Sequence, residues 1–272
     1  MSKIIFITGA SRGFGKIWAN AFLERGDKVI AAVRDTKSVE DLVTKYGEAV
    51  LPVKLDVNDR TAAFSAMEIA KAKFGRIDVL INNAGYGQFG AAEEISEQQV
   101  REQFDTNVFG VLWVTQAVLP LLREQGSGHI INLSSIIGLV GLPIFTWYTA
   151  SKFAIEGFSE SLAAEIAGFG IKVSIIEPNG FGTEFGKSSL KVGEANSAYE
   201  SVKKALSANF GSDFYGIPEA TIPAVLGLVD NPNPPLRLLL GKKGFPWVKQ
   251  VYEGRLAEFE MYKEVSATAH GH

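Results

Sequence analysis

"KIIFITGASRGFG", residues 3 to 15, decides the fold: an apolar run, "KIIFIT", feeds directly into a glycine-rich turn and then into a helix-like stretch. A continuous run of this length reads as a strand buried on both faces. The turn, T-G-x-x-x-G-x-G, lies between the first strand and the first helix. There, backbone N–H groups can meet a pyrophosphate, and the helix macrodipole favours negative charge. Gly9, Ser11, Arg12, Gly13, Phe14 and Gly15 are therefore candidate dinucleotide contacts. A second cluster, "GYGQFG" (85 to 90), matches the G-x-G-x-x-G string more literally. No helix opens on its last glycine, because "AAEEISEQQ" delays the next one, so context selects the first cluster.

Working outward, similar runs recur at 28 to 33, 50 to 57, 78 to 83, 129 to 135 and 172 to 178. Helix-like stretches separate them near 14 to 25, 37 to 46, 60 to 74, 97 to 122 and 149 to 168. This alternation predicts an α/β chain with a Rossmann-type, doubly wound parallel sheet in a single domain spanning 1 to 272. From about 179 the rhythm breaks, and an insertion at about 184 to 217, with a helical candidate at 197 to 208, is expected to form a substrate lid. A helix near 218 to 229, the apolar strand "LRLLLG" and a final amphipathic segment, 244 to 264, follow. The tail from about 265 to 272 is expected to be disordered.

Lys and Arg total 27 against 30 Asp and Glu, so no basic block is available for nucleic acid or an anionic membrane. There is no cysteine, and His129, His270 and His272 are the only histidines, which excludes thiol chemistry, disulfides and the usual zinc sites. No metal is expected. Chemistry must use hydroxyls, carboxylates, lysine or a borrowed cofactor. "MSKIIFITGA" is too short to span a membrane and lacks a signal-peptide pattern, so the expected location is cytoplasmic.

The second strand ends "AAVRD". An acidic residue at this end bonds the ribose of NAD, whereas a basic one suits the 2′-phosphate of NADP. Arg34 stands here and Arg12 lies in the glycine turn, so NADP(H) is favoured. Asp35 follows at once and keeps NAD(H) open.

Tyr148 and Lys152 in "WYTASK" are four positions apart, on one face if helical. "YESVK" repeats the spacing with Tyr199 and Lys203, so spacing alone does not decide. With "TGASRGFG", then "NNAG" (82 to 85), "NLSS" and "YTASK" in order along an α/β pattern, the chain resembles the short-chain dehydrogenase/reductase (SDR) family from residue 3 to about 183. The resemblance implies a catalytic Ser thirteen residues before the Tyr, which selects Ser135 over its neighbour Ser134 and leaves Tyr199 and Lys203 as ordinary helix-surface residues. It also implies a catalytic part for Asn107, whose family counterpart perturbs its helix and holds a water linking the Lys to solvent. Asn83, Ala84 and Gly85 would lie beside the riboses, Asp56 and Val57 beside the adenine, and Pro178, Gly180 and Thr183 beside the nicotinamide. The family usually has Pro-Gly where this chain has Pro178-Asn179, and an Asn in a left-handed backbone is the expected substitute.

The chemistry can be argued apart from the resemblance. Reducing a carbonyl needs a cofactor for the hydride, a proton source and a hydrogen-bond donor to the developing alkoxide. Tyr148 is the candidate acid and Ser135 the polariser. Lys152 supplies positive charge that favours phenolate in the reverse direction. Phe89, Leu142, Phe145, Trp147, Phe181 and Phe185 are candidate pocket residues, and their apolar character suggests a lipophilic ketone, aldehyde or secondary alcohol. The expected activity is that of an NADP(H)-dependent carbonyl reductase or alcohol dehydrogenase. A non-catalytic NADPH sensor and a nucleotide-sugar epimerase or dehydratase are the alternatives. By the resemblance, the chain would form a homo-oligomer, dimer or tetramer, through 97 to 122 and 149 to 168.

Overall fold

Strands without polar alternation cannot leave a face in water, and this chain places them between two helical layers. A computed structural model describes residues 2–184, 189–209 and 214–271. β1 (Ile4–Thr8) leads into α1 (Gly13–Glu24), β2 (Lys28–Val33) into α2 (Glu40–Tyr46) and β3 (Val50–Lys54) into α3 (Arg60–Phe74). After β4 (Val79–Asn82) come the short β5 (Gly87–Phe89) and α4 (Glu97–Phe104), which passes through a π turn into α5 (Gly110–Gln125). β6 (Gly128–Leu133), α6 (Thr146–Ile166) and β7 (Ile171–Pro178) follow. β8 (Leu190–Val192), α7 (Glu200–Asn209), α8 (Ile222–Asp230), β9 (Arg237–Leu240), α9 (Gly244–Met261) and α10 (Lys263–Thr268) complete the chain.

The main sheet is parallel throughout, in the order β3-β2-β1-β4-β6-β7-β9. The order runs outward from β1 and β4, so the crevice beyond their carboxyl ends is the switch point where such sheets take ligands. Side chains alternate between the faces. Phe6, Ile30, Leu80 and Ile130 bury against α3, α5 and α6, while Ile5, Ile7, Ile81 and Ile131 bury against Trp18, Phe22 and Val225. The Rossmann-type single domain read from the alternating runs is present.

Three local expectations change, and one segment gains a role. The helix expected over 97 to 122 is broken by the π turn Asp105–Phe109. The literal glycine string at 85 to 90 supplies β5, which pairs with β8 in a separate two-stranded sheet. The helix expected from 149 begins at Thr146, which puts Tyr148 inside it. The tail expected to be disordered from 265 stays helical to Thr268, since Ser266 N–H bonds the Tyr262 carbonyl at 3.0 Å and Ala269 N–H bonds that of Val265 at 3.0 Å. Glu97–Gln125 is long and apolar enough to cross a membrane by length and composition. Its apolar side, including Val114, Val118 and Leu122, is spent on the sheet.

Candidate active site

The carboxyl end of β1 turns through Gly9 and starts α1 at Gly13. Arg12, the N-cap, makes no side-chain cap bond, and the first turn of α1 contains no acidic residue. A helix start left uncapped in this way presents its amides to an anion. A Cβ on Gly15 would collide with the Gly9 carbonyl oxygen and with Asn83 Nδ2, so only glycine permits this close turn. These features fit the pyrophosphate of a nicotinamide dinucleotide.

Asn83, expected beside a ribose, is a brace for that turn. Its Nδ2 donates to the carbonyls of Thr8 at 2.9 Å and Gly9 at 3.1 Å, while the Asn83 and Ala84 amides both donate to Thr8 Oγ1 at 3.0 Å. Gly85 is exposed at the loop tip. Ser11 is half-buried within the turn, and Arg12 and Arg34, which follow the carboxyl ends of the neighbouring strands β1 and β2, are exposed. Asp35 is engaged locally, where its carboxylate accepts from Lys37 N–H at 3.0 Å and caps the turn Thr36–Val39. Asp56 is exposed, whereas Val57 is buried against Gly110.

Asn107 is buried in the π turn. Its Nδ2 donates to the Tyr86 carbonyl at 3.0 Å and to Ser151 Oγ at 3.2 Å, and its Oδ1 accepts from Tyr86 N–H at 3.1 Å. Ser151 Oγ in turn donates to the Tyr148 carbonyl at 2.7 Å. These bonds lock the loop after β4 to α6; the hydrogen bonds of the Asn107 side chain go to Tyr86 and Ser151 rather than to Lys152.

α6 sets Tyr148 and Lys152 one turn apart, both buried. Ser135, half-buried just beyond β6, caps a short turn and donates from Oγ to the Pro178 carbonyl at 3.3 Å. Lys152 Nζ donates to the Leu133 carbonyl at 2.7 Å and lies 5.7 Å from the centroid of the Tyr148 ring. Burial pushes the Tyr148 phenol well above its usual value, and a hydrogen bond with Ser135 draws it back. Burial also pulls Lys152 down to about 8, against the opposing pull of the Glu156 charge. The arrangement holds a neutral phenol and a polarising hydroxyl together, next to a lysine that keeps its proton at neutral pH.

Beyond β7, Pro178 is buried and Thr183 reaches back toward the glycine turn, where a Cβ on Gly13 would lie 3.8 Å from Thr183 Cβ. Asn179 corrects the expected left-handed substitution. Ile144 is the one non-glycine residue with positive φ among the described residues, so Asn179 does not adopt that conformation. Its carboxamide acts as a staple instead. Nδ2 donates to the carbonyls of Gly180 at 2.9 Å and Phe214 at 3.1 Å, and Oδ1 fills the space that a side chain at Gly241 would need. A cavity of about 460 Å³ lies behind this turn, among Asn179, Phe181, Tyr215 and Ala224. It includes none of Ser135, Tyr148 or Lys152.

The model of the family described as short chain dehydrogenase matches residues 3–192. The chain belongs to this family. It is 41% identical over 271 residues to oxidoreductase BOA17 of Botryotinia fuckeliana, covering 98% of each chain. Against the 3-ketodihydrosphingosine reductase of Bacteroides thetaiotaomicron it is 40% identical over 246 residues, 88% of each. The structure of a short-chain dehydrogenase from Streptomyces avermitilis superposes with a TM-score of 0.91 at 38% identity, covering 98% of both chains. Neighbours at 26% and 29% identity, with TM-scores of 0.74 and 0.76, were solved with NADH and with NADP+ respectively. The short-chain dehydrogenase described here is an oxidoreductase of that family, which works with nicotinamide cofactors.

The expected pocket residues separate in this dehydrogenase. Phe89 meets Phe145 edge-on at 5.4 Å, and Phe145 lies 6.4 Å from the Tyr148 ring, with Leu142 packed beside both. Phe181 is a correction. It packs edge-on against Phe14 at 5.3 Å, and Phe14 stacks on Trp18 at 4.9 Å, so it serves the opposite face of the sheet. Trp147 is anchored through its indole N–H to the Ala92 carbonyl at 3.1 Å. Phe185 lies outside the described residues.

Several wall residues were missed. Ala91, Ile144, Leu206 and Tyr199 join Phe89 and Phe145, while Trp247 and Val248 reach the Tyr148 cluster from α9. Ile144 holds a left-handed backbone, φ 68°, unusual for a β-branched side chain. That turn buries its side chain in the wall while its carbonyl accepts from Gly90 N–H at 2.8 Å. Tyr199 and Lys203 are a further correction. They are not ordinary surface residues, because Lys203 Nζ lies 2.6 Å from Glu94 Oε1 and Tyr199 packs into the wall. Glu94 also accepts from the amides of Asn196 at 2.6 Å and Ala91 at 2.7 Å. Hydrogen bonds from Lys203 and then Ala91 hold its carboxyl down at about 2. The apolar spacing of Tyr199 and Leu206 was the available signal.

Proposed function

We propose that this dehydrogenase is an NADP(H)-dependent reductase of lipophilic ketones or aldehydes, acting on the matching secondary alcohols in reverse. The observation that carries the cofactor preference is the commitment of the Asp35 carboxylate to capping its own turn. That leaves Arg34 and Arg12 as the charged side chains at the end of the crevice where a 2′-phosphate would lie. The lipophilic substrate is supported by Phe89, Leu142 and Phe145 beside Tyr148, and by likeness to a 3-ketodihydrosphingosine reductase.

A bound nicotinamide supplies the hydride. The chain's residues do the rest. The wall excludes water, Ser135 donates a hydrogen bond to the substrate oxygen, and Tyr148 delivers a proton to it as negative charge develops there. Lys152 stabilises the resulting phenolate by its charge. Asn107 and Ser151 hold α6 in register with the loop after β4. The reading further places the enzyme in the cytoplasm, as a homo-oligomer through α5 and α6, where Phe109, at the end of the π turn that leads into α5, and Phe153 are exposed.

Fluorescence titration with each dinucleotide tests the preference. The expected result is NADPH binding at least about tenfold tighter than NADH, with Arg34→Glu reversing the order through loss of a charge-assisted phosphate contact. Equal affinities in the wild type, or an unchanged ratio in R34E, would contradict it.

A further inference from the structure

Behind the catalytic residues lies a buried carboxyl cluster that the reaction as described does not use. Glu156 follows Lys152 by one turn of α6 and is 5% exposed. Glu177, on β7, is fully buried and immediately precedes Pro178, whose carbonyl accepts the Ser135 hydroxyl. Arg237, on the edge strand β9, joins them: its Nε lies 3.3 Å from Glu156 Oε2 and 3.5 Å from Glu177 Oε1, and Nη2 lies 2.8 Å from Glu160 Oε2. Ser134, beside Ser135, places its hydroxyl against Glu156. There is no slack here, since a Cβ on Gly138 would meet Ser134 Oγ, Glu156 Cγ and the Lys152 carbonyl together. The outer side opens into a cavity of about 390 Å³ lined by Leu139, Glu160, Glu177, Arg237, Leu239, Val248 and Tyr252.

We propose that Glu156 is a positioning residue that acts through Lys152: ionised and held by Arg237, it keeps the lysine charged, while Glu177 carries a proton and serves as its neutral partner. The inference rests on the oxidoreductase reading of Ser135, Tyr148 and Lys152. Three carboxylates, Glu156, Glu160 and Glu177, share the one Arg237 guanidinium, and the cheapest relief is one proton on the most deeply buried of them. Glu177 is that acid; burial, and then the charge of Glu156, push it up to about 8. The groups facing Glu156 are Lys152 and Glu160 from its own helix, Glu177 from β7, Arg237 from β9 and the Ser134 hydroxyl. Of these, Lys152 is the one whose charge the chemistry needs.

The sign of the effect follows. Lys152 titrates near 8, and the Glu156 charge raises it. Carbonyl reduction therefore declines as pH rises through that value, and removing the carboxylate moves the decline to lower pH. Glu156→Gln is expected to lower the alkaline limb by about 0.5–1 pH unit, the size of a single near charge. Arg237→Gln is expected to move it the same way, because Glu156 then takes up a proton. Glu177 loses its own proton over the same range, so Glu177→Gln is expected to move the limb by less than Glu156→Gln does.

The titration of the Lys152 side chain is followed by NMR in the protein without cofactor, its signal assigned by loss in Lys152→Arg, alongside the pH profile of reduction. A Lys152 titration displaced downward in E156Q and R237Q, and by less in E177Q, supports the inference, even were no carbonyl turned over. A folded E156Q with the wild-type titration overturns it, as does a shift confined to E177Q. If E156Q does not fold, a wild-type titration in R237Q overturns it.

Discussion

At Gly15 the space a methyl group needs is already held by the Gly9 carbonyl and the Asn83 amide. Gly15→Ala must push one of them aside, and either shift deforms the turn meant for the pyrophosphate. We expect G15A to weaken dinucleotide binding at least tenfold and to destabilise the fold by about 1–3 kcal/mol, as overpacking in a tight site does. Dinucleotide titration and thermal unfolding measure the two effects, and wild-type values in both would refute the close-packing argument. Ser135, Tyr148 and Lys152 stood out through the order of the family's motifs, because helical spacing alone fitted Tyr199 and Lys203 equally well; the structure brings the three together. Phe181 was not, since aromatic character does not say which side of a turn a ring will take. Asn179 was legible only as an irregularity; its role depends on meeting Gly241, 62 positions away, which no local pattern records.

Among elements, the strands were easiest to read, because burial on both faces leaves a continuous apolar run. The π turn at Asn107 was less visible: a single poor helix former marks strain without saying how the backbone yields. The insertion after β7 was legible as a break in rhythm but not in its anchoring. That anchoring combines the pairing of β8 with β5 and one buried carboxylate, Glu94, which holds the segment at Asn196 and Lys203. Because Glu94 is depressed to about 2 in the folded protein, its stabilising contribution is complete above the ordinary carboxylate range near 4.5 and fades as pH falls from there toward 2. Glu94→Gln keeps the shape and removes the charge. The segment should then be cleaved faster by protease at neutral pH, and KM for a lipophilic carbonyl should rise about threefold to tenfold with a smaller change in kcat, as expected when a charged hydrogen bond is lost. Unaltered proteolysis together with unaltered KM would show that the clamp does not hold the pocket wall.

For the molecule as a whole, the parallel sheet brings residues from distant parts of the sequence to one edge. The glycine turn follows β1, Asn83 follows β4, Ser135 follows β6 and Thr183 follows β7, all at carboxyl ends. Alternating strands and helices predicted this gathering, and the family match over residues 3–192 agrees with it. The division of the aromatic residues between the pocket and the opposite face, and the reach of α9 to the Tyr148 cluster, depend on tertiary packing and were not predictable from local pattern. On the proposed function, a proton leaves Tyr148 for a substrate oxygen while the dinucleotide is held independently by the turn. The most direct measurement follows the loss of reduced-nicotinamide absorbance with a panel of aromatic, aliphatic and steroid carbonyls, comparing wild type with Tyr148→Phe at matched dinucleotide occupancy. Wild-type turnover with a loss of at least about a hundredfold in Y148F, at unchanged dinucleotide affinity, is the predicted result for removal of a general acid. Equal turnover in the two proteins would contradict the account.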